Sequence, residues 1–150
     1  MGIGSDGPMG RLLVRGEPGH DIVPELYPQF GEPIIDKPGR GAFTYTDFEL
    51  ILRNKGIKNL VLAGVTTDVC VSTTMREAND RGFDCALVED GTVAVDPALH
   101  ASVCESVKME GGVLGAVIKL DDIVQAVDNF KAVTVKKLAP QMTPMSTVPA

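Results

Sequence analysis

No apolar run approaches the roughly 18 residues needed to cross a bilayer, which excludes a membrane-spanning helix. Lys and Arg nowhere cluster, and a formal net charge of −6 with a pI near 4.8 argues against nucleic acid or an anionic membrane as a partner. Cysteine is scarce and odd in number: Cys70, Cys85 and Cys104 cannot all pair within one chain. They lack the C-x-x-C spacing of zinc sites, and His20 and His100 are the only histidines, so no metal and no cofactor is expected. No secretory leader precedes the first domain-like segment, and free thiols fit a reducing, cytoplasmic setting. Internal repeats are also missing.

What is present fits an ordinary globular chain. With 150 residues, 44% hydrophobic and 23% charged, the sequence can form one domain around one core. Residues 1–32 are rich in Gly and Pro and read as a covering loop, with Leu12-Leu13-Val14 and Ile22 to Leu26 as short ordered pieces. Strands and helices then alternate. Pro33 to Asp36 reads as a strand. Thr46-Asp47-Phe48-Glu49 reads as a capping box opening a helix to about Lys55, with Phe48, Ile51 and Leu52 as its apolar face and Gly56 as its stop. Asn59 to Ala63 is expected to be a buried strand, followed by a helix through Cys70 to about Arg81 and Gly82.

Cys85 to Val88 supplies the next strand. Asp96-Pro97 is a cap and first-turn proline for a helix to about Met109. Val113 to Ile118 is a further strand and Asp121 to Phe130 a short amphipathic helix, while Lys131 to Ala150, with three prolines, reads as a flexible tail. The alternation predicts an α/β fold of three αβα layers with a mostly parallel, Rossmann-like sheet. About four strands fall short of the usual five or six, which predicts an open edge or face.

Chemistry concentrates at Val65-Thr66-Thr67-Asp68-Val69-Cys70-Val71, directly after the strand Asn59 to Ala63. A helix's first turn carries unpaired N–H groups and the positive end of its dipole, which favour a thiolate. Cys70 is thus a candidate nucleophile, and ordinary core packing is the competing reading. Asp68 reads as the helix cap. Arg76 and Glu77 read as a structural ion pair or a solvated face, Cys85 and Cys104 as core residues, and His20 as a loop contact.

Gly64 to Val71 continues as Ser72-Thr73-Thr74-Met75-Arg76-Glu77-Ala78-Asn79-Asp80-Arg81-Gly82-Phe83, and this run resembles the signature of the isochorismatase-like cysteine hydrolases. Arg15 to Leu26 and Ile35-Asp36-Lys37-Pro38-Gly39-Arg40-Gly41-Ala42-Phe43 are similar to the subset that includes biuret and ureidoacrylate amidohydrolases. The likeness spans roughly residues 5–120 and implies an amino-terminally truncated isochorismatase-like domain over residues 1–130. It implies a catalytic pair: Cys70 as nucleophile and Lys37 as the family lysine, favouring thiolate by its charge. A solvated lysine at a strand end is the plainer reading of Lys37.

The resemblance further implies a cis peptide at Val65–Thr66, with the N–H groups of Thr66 and Cys70 as oxyanion donors. The substrate it implies is a small amide, carbamoyl or urea-like compound, cleaved at its C–N bond through a Cys thioester, by a homo-oligomer. Glu110 stands where biuret-hydrolase-like members carry Gln. It either lines the pocket, favouring donor-rich or cationic substrates, or is an exposed Glu near a helix end. Phe43 either walls the pocket or packs in the core. The family aspartate is expected before this chain's first residue, and Asp6, Asp36 and Asp68 do not match its position. Removing one member of a cooperative unit costs nearly as much as removing all of it. That argues against turnover by this polypeptide alone and keeps two alternatives open: a non-catalytic interaction module or pseudoenzyme, and a thiol redox sensor at Cys70.

Overall fold

The computed structural model describes residues 2–138, with side chains to residue 131. Two units emerge, Met1–Ile34 and Ile35–Ala150. The first holds a two-stranded antiparallel hairpin, β1 (Asp6–Gly7) and β2 (Gly10–Arg11), and a 3-10 turn at Pro24–Leu26. Leu12-Leu13-Val14 forms no regular element, because the turn at Pro8-Met9 draws the pairing to the residues before it. Arg11 forks onto the carboxylate of Glu17, and the His20 N–H donates to the Glu17 carbonyl at 2.9 Å.

The second unit carries the sheet. α1 (Phe48–Asn54) is followed by β3 (Asn59–Val65), α2 (Ser72–Asp80), β4 (Asp84–Val93), α3 (Pro97–Lys108), β5 (Ala116–Ile118) and α4 (Leu120–Leu138). The three strands are parallel in the order β3-β4-β5 and are flanked by helices, an α/β arrangement. Leu60 and Leu62 of β3 pair with Cys85 and Leu87 of β4, and Leu87 also pairs with Val117 of β5. One apolar cluster joins Phe43, Leu52, Met75, Ala78, Phe83, Leu87, Cys104 and Val107, so α1, α2, α3 and the sheet share a core.

Local signals explain several boundaries. Asp96 accepts from the Ala98 N–H at 2.8 Å and Pro97 opens α3, the expected cap. Gly82, at φ +77°, lies just past α2 and its N–H returns to the Asn79 carbonyl at 2.8 Å. α1 begins otherwise than its capping-box spelling predicts. Thr46 Oγ1 accepts from the Phe48 N–H at 3.3 Å, but Glu49 turns away to Arg53 and Arg81, because two guanidinium groups bind a carboxylate better than one amide does.

Other boundaries differ from expectation. Pro33 to Asp36 forms no strand: among the described residues β3 pairs only with β4, and Ile34-Ile35, bracketed by Pro33 and Pro38, has no ladder to join. β3 is not buried on both faces, since Val61 and Val65 are 57% and 65% exposed. β4 runs on to Val93 through a register shift between Leu62 and Gly64. The stretch read as a tail starts inside α4, whose helix continues to Leu138, and 139–150 lie outside the described residues. Among the described residues no helix is long and apolar enough to cross a membrane.

β5 starts only at Ala116 because the glycines before it bend the chain. Gly115 has φ +131°, and a Cβ there would lie 2.0 Å from the Cys85 carbonyl oxygen. Gly115→Ala therefore combines backbone strain with overlap against a strand that cannot yield, an expected loss of at least about 2 kcal/mol. Thermal unfolding checks this, with a fall in Tm of roughly 5 °C or more expected.

Candidate active site

β3 delivers the chain to its carboxyl end, where open α/β folds gather ligands. There the Val65–Thr66 peptide is cis. A single π turn, Thr67–Val71, follows and runs directly into α2, with the Val71 N–H donating to the Thr66 carbonyl at 3.1 Å. Cys70 is the fourth residue of this turn, half-buried and free of any disulfide.

Asp68 does not act as the cap. The turn starts earlier, at Thr67, with Thr66 in the cap position making no side-chain capping bond, so Asp68 already lies inside the first turn. Its Oδ1 is buried with no hydrogen-bond partner among the described residues, beside the thiol-bearing segment. Thr67, fully buried, meets His100 Nδ1 of α3 through its hydroxyl at 3.0 Å. This pairing joins residues on opposite sides of β4 in sequence, and no spacing rule would have found it.

Lys37 is exposed, and its Nζ donates to the carbonyls of Gly39 at 3.0 Å and Arg40 at 2.9 Å. Its ammonium thus organises the turn that follows it. Glu77 clamps the next stretch, accepting from the Phe43 N–H at 3.1 Å and from the Thr44 hydroxyl at 2.5 Å. Arg76 is exposed, in line with the solvated-face reading, and reaches Ser106 Oγ on α3 at 3.4 Å, so Arg76 and Glu77 make two separate inter-element links in place of an ion pair. They form because adjacent helical residues face different directions.

Phe43 is a core residue, 4% exposed, with its ring 5.1 Å from Phe48 and 5.7 Å from Phe83 and the Arg81 guanidinium 5.0 Å from its centre. Glu110 is exposed in the 3-10 turn Met109–Gly111, at φ +54°. Cys85 and Cys104 are buried, as expected. Burial pushes both thiols above the ordinary value, with Asp84 adding to the effect at Cys85 and Glu89 at Cys104. An apolar groove of about 440 Å³ opens elsewhere, between Val61, Ile118, Ile123, Val127 and Phe130. None of the sequence-predicted site residues lines it.

Taken together, a parallel sheet flanked by helices and a half-buried cysteine on a tight turn after β3 define an α/β protein that holds a thiol at the carboxyl end of its sheet. Residues 2–120 match the isochorismatase domain, and the chain belongs to the isochorismatase family. The ureidoacrylate amidohydrolase RutB of Serratia proteamaculans is 44% identical over 89 residues, covering 59% of this chain and 36% of that protein. An isochorismatase-like hydrolase from Alkaliphilus metalliredigens superposes with a TM-score of 0.72 at 33% identity, covering 77% of this chain and 61% of that one. N-carbamoylsarcosine amidase from Thermoplasma acidophilum gives a TM-score of 0.61 at 31% identity, over 73% of this chain and 60% of that one. The chain spans between 36% and 39% of the length of the curated relatives it matches.

Proposed function

We propose that this protein is a cysteine amidohydrolase of small amide, carbamoyl or urea-like compounds, with Cys70 as its nucleophile. The observation that carries the reading is the placement of Cys70: half-buried, unpaired, and held by a π turn at the carboxyl end of β3. The relatives support the bond type, since one is a ureidoacrylate amidohydrolase and another an N-carbamoylsarcosine amidase.

In the proposed reaction Cys70 Sγ attacks the carbonyl carbon, the C–N bond breaks, and the amine leaves with a proton. Water then cleaves the thioester, returning the thiol and releasing the acid. The N–H groups of Thr66 and Cys70 serve as the oxyanion donors in this reading. Lys37 is the charge that favours thiolate once it leaves its carbonyl partners at Gly39 and Arg40. No residue of this chain is assigned the shuttling of the proton. A reducing, cytoplasmic setting and a homo-oligomer belong to the same proposal, and the free state of Cys70, Cys85 and Cys104 supports the setting.

A second reading is a non-hydrolytic module that uses its open sheet face. The exposure of Val61 and Val65 on β3 favours it. Incubation with a panel of ureido acids, N-carbamoyl amino acids and primary amides, followed by intact-mass analysis after acid quench, separates the two. The hydrolase reading expects an acyl adduct at Cys70 that Cys70→Ser lacks and Lys37→Ala accumulates more slowly. Absence of adduct and of released amine across the panel would favour the module.

A further inference from the structure

We propose that Glu89, His100 and Cys104 form a zinc-binding site behind the Cys70 turn. The three residues come from two elements. Glu89 lies on β4, while His100 and Cys104 lie four residues apart on one side of α3. One donor atom from each falls within 4.8 Å of the other two. A carboxylate oxygen, an imidazole nitrogen and a sulfur are a donor set that zinc accepts, with three protein ligands and a fourth position left for water.

The spacing is close to what the ion requires. His100 Nε2 lies 3.7 Å from Cys104 Sγ. A tetrahedral zinc with bonds of about 2.3 Å to sulfur and about 2.0–2.1 Å to nitrogen spaces those donors about 3.6 Å apart. The imidazole is also correctly oriented. Thr67 Oγ1, 3.0 Å from Nδ1, can accept the Nδ1 proton, which leaves the Nε2 lone pair facing Cys104. Thr67 is completely buried, so this partner holds the ring in place, as outer-shell partners of zinc-bound histidines do.

Two features oppose the ion and both are surmountable. Glu89 Oε2 is paired with Lys119 Nζ at 2.9 Å, but Lys119 is half exposed and the second carboxylate oxygen remains for the metal. The buried Cys104 thiol holds its proton more tightly than usual, and zinc displaces that proton because it binds thiolate. Glu89 and His100 are half-buried and Cys104 is buried. The i, i+4 pair His100–Cys104 is visible in the sequence, but the third donor sits eleven residues before His100 and only the fold brings it close.

The test is a titration of the full chain, freed of metal by a chelator and kept reduced, with Co²⁺ and then Zn²⁺. One equivalent of Co²⁺ is expected to produce a near-ultraviolet thiolate-to-cobalt band, which one equivalent of Zn²⁺ then bleaches. Cys104→Ser should lose the band, while the double variant Cys70→Ser, Cys85→Ser, with Cys104 as its sole thiol, should retain it. Glu89→Gln should weaken binding at least about tenfold. The proposal is overturned if the wild-type chain develops no band at stoichiometric Co²⁺, if the double variant loses it, or if Glu89→Gln binds as tightly as wild type. None of these readouts depends on hydrolysis at Cys70.

Discussion

Leu87→Ala is expected to cost about 2–5 kcal/mol, enough to remove a large share of the stability of a domain this size. Leu87 is completely buried on the central strand β4, between Leu62 of β3 and Val117 of β5. Truncation leaves a cavity that neither neighbour can fill, because both are held in register by the parallel ladders. Val61→Ala is the matched control: one strand away and 57% exposed, it is expected to change stability by no more than about 0.5–1 kcal/mol. Urea unfolding of both variants gives the comparison. Equal costs would mean that the core does not lie where the burial of Leu87, Met75 and Cys104 puts it.

That contrast also separates the legible from the illegible parts of the fold. β3, α2, β4 and α3 follow from short-range signals: apolar runs, Asp96-Pro97 at one helix start, Gly82 at another helix end. The segment Pro33 to Asp36 carries the same kind of apolar signal and forms no strand, since a strand exists only where a partner offers a ladder, and partners are not written locally. α4 shows the converse. Pro140, Pro144 and Pro149 make the stretch from Lys131 read as a tail, yet the run to Leu138 contains no glycine or proline, and Pro140 is the first residue that disfavours continuation.

The site divides in the same way. Cys70 and the peptide Val65–Thr66 sit in one contiguous motif, so their neighbourhood was readable from sequence. Contacts through space were not. Glu77 reads as part of an ion pair or of a solvated face, whereas it holds the Phe43 N–H and the Thr44 hydroxyl more than thirty residues away. His100 carried no motif at all, and its link to Thr67 depends on how α3 crosses behind the π turn. Asp68 matches a capping residue type, but only the start of the turn one residue ahead of it decides whether its carboxylate caps or leaves Oδ1 buried without a hydrogen-bond partner among the described residues.

The largest expected difference in reactivity lies among the three thiols. In the folded protein Cys70, half-buried, is accessible to iodoacetamide, whereas Cys85 and Cys104, at 7% and 1% exposure, must wait for opening of the core. A core that opens in fewer than about one molecule in a thousand makes their alkylation at least about a thousandfold slower, and denaturant should erase the difference. The pH dependence has a definite sign. Both buried thiols are held above the ordinary value, chiefly by burial, so the folded state keeps their protons after the unfolded chain has begun to lose them. Stability is therefore fully present below the unfolded thiol pKa of about 8.5 and falls as pH rises from there through the raised folded values. Replacing Cys85 with Ala should flatten that alkaline decline, even if it lowers stability at neutral pH. Site-resolved mass spectrometry of labelled protein, with urea midpoints above and below pH 8.5, measures both effects. Labelling of Cys104 as fast as Cys70 under native conditions would show that α3 opens independently of the core it is packed in.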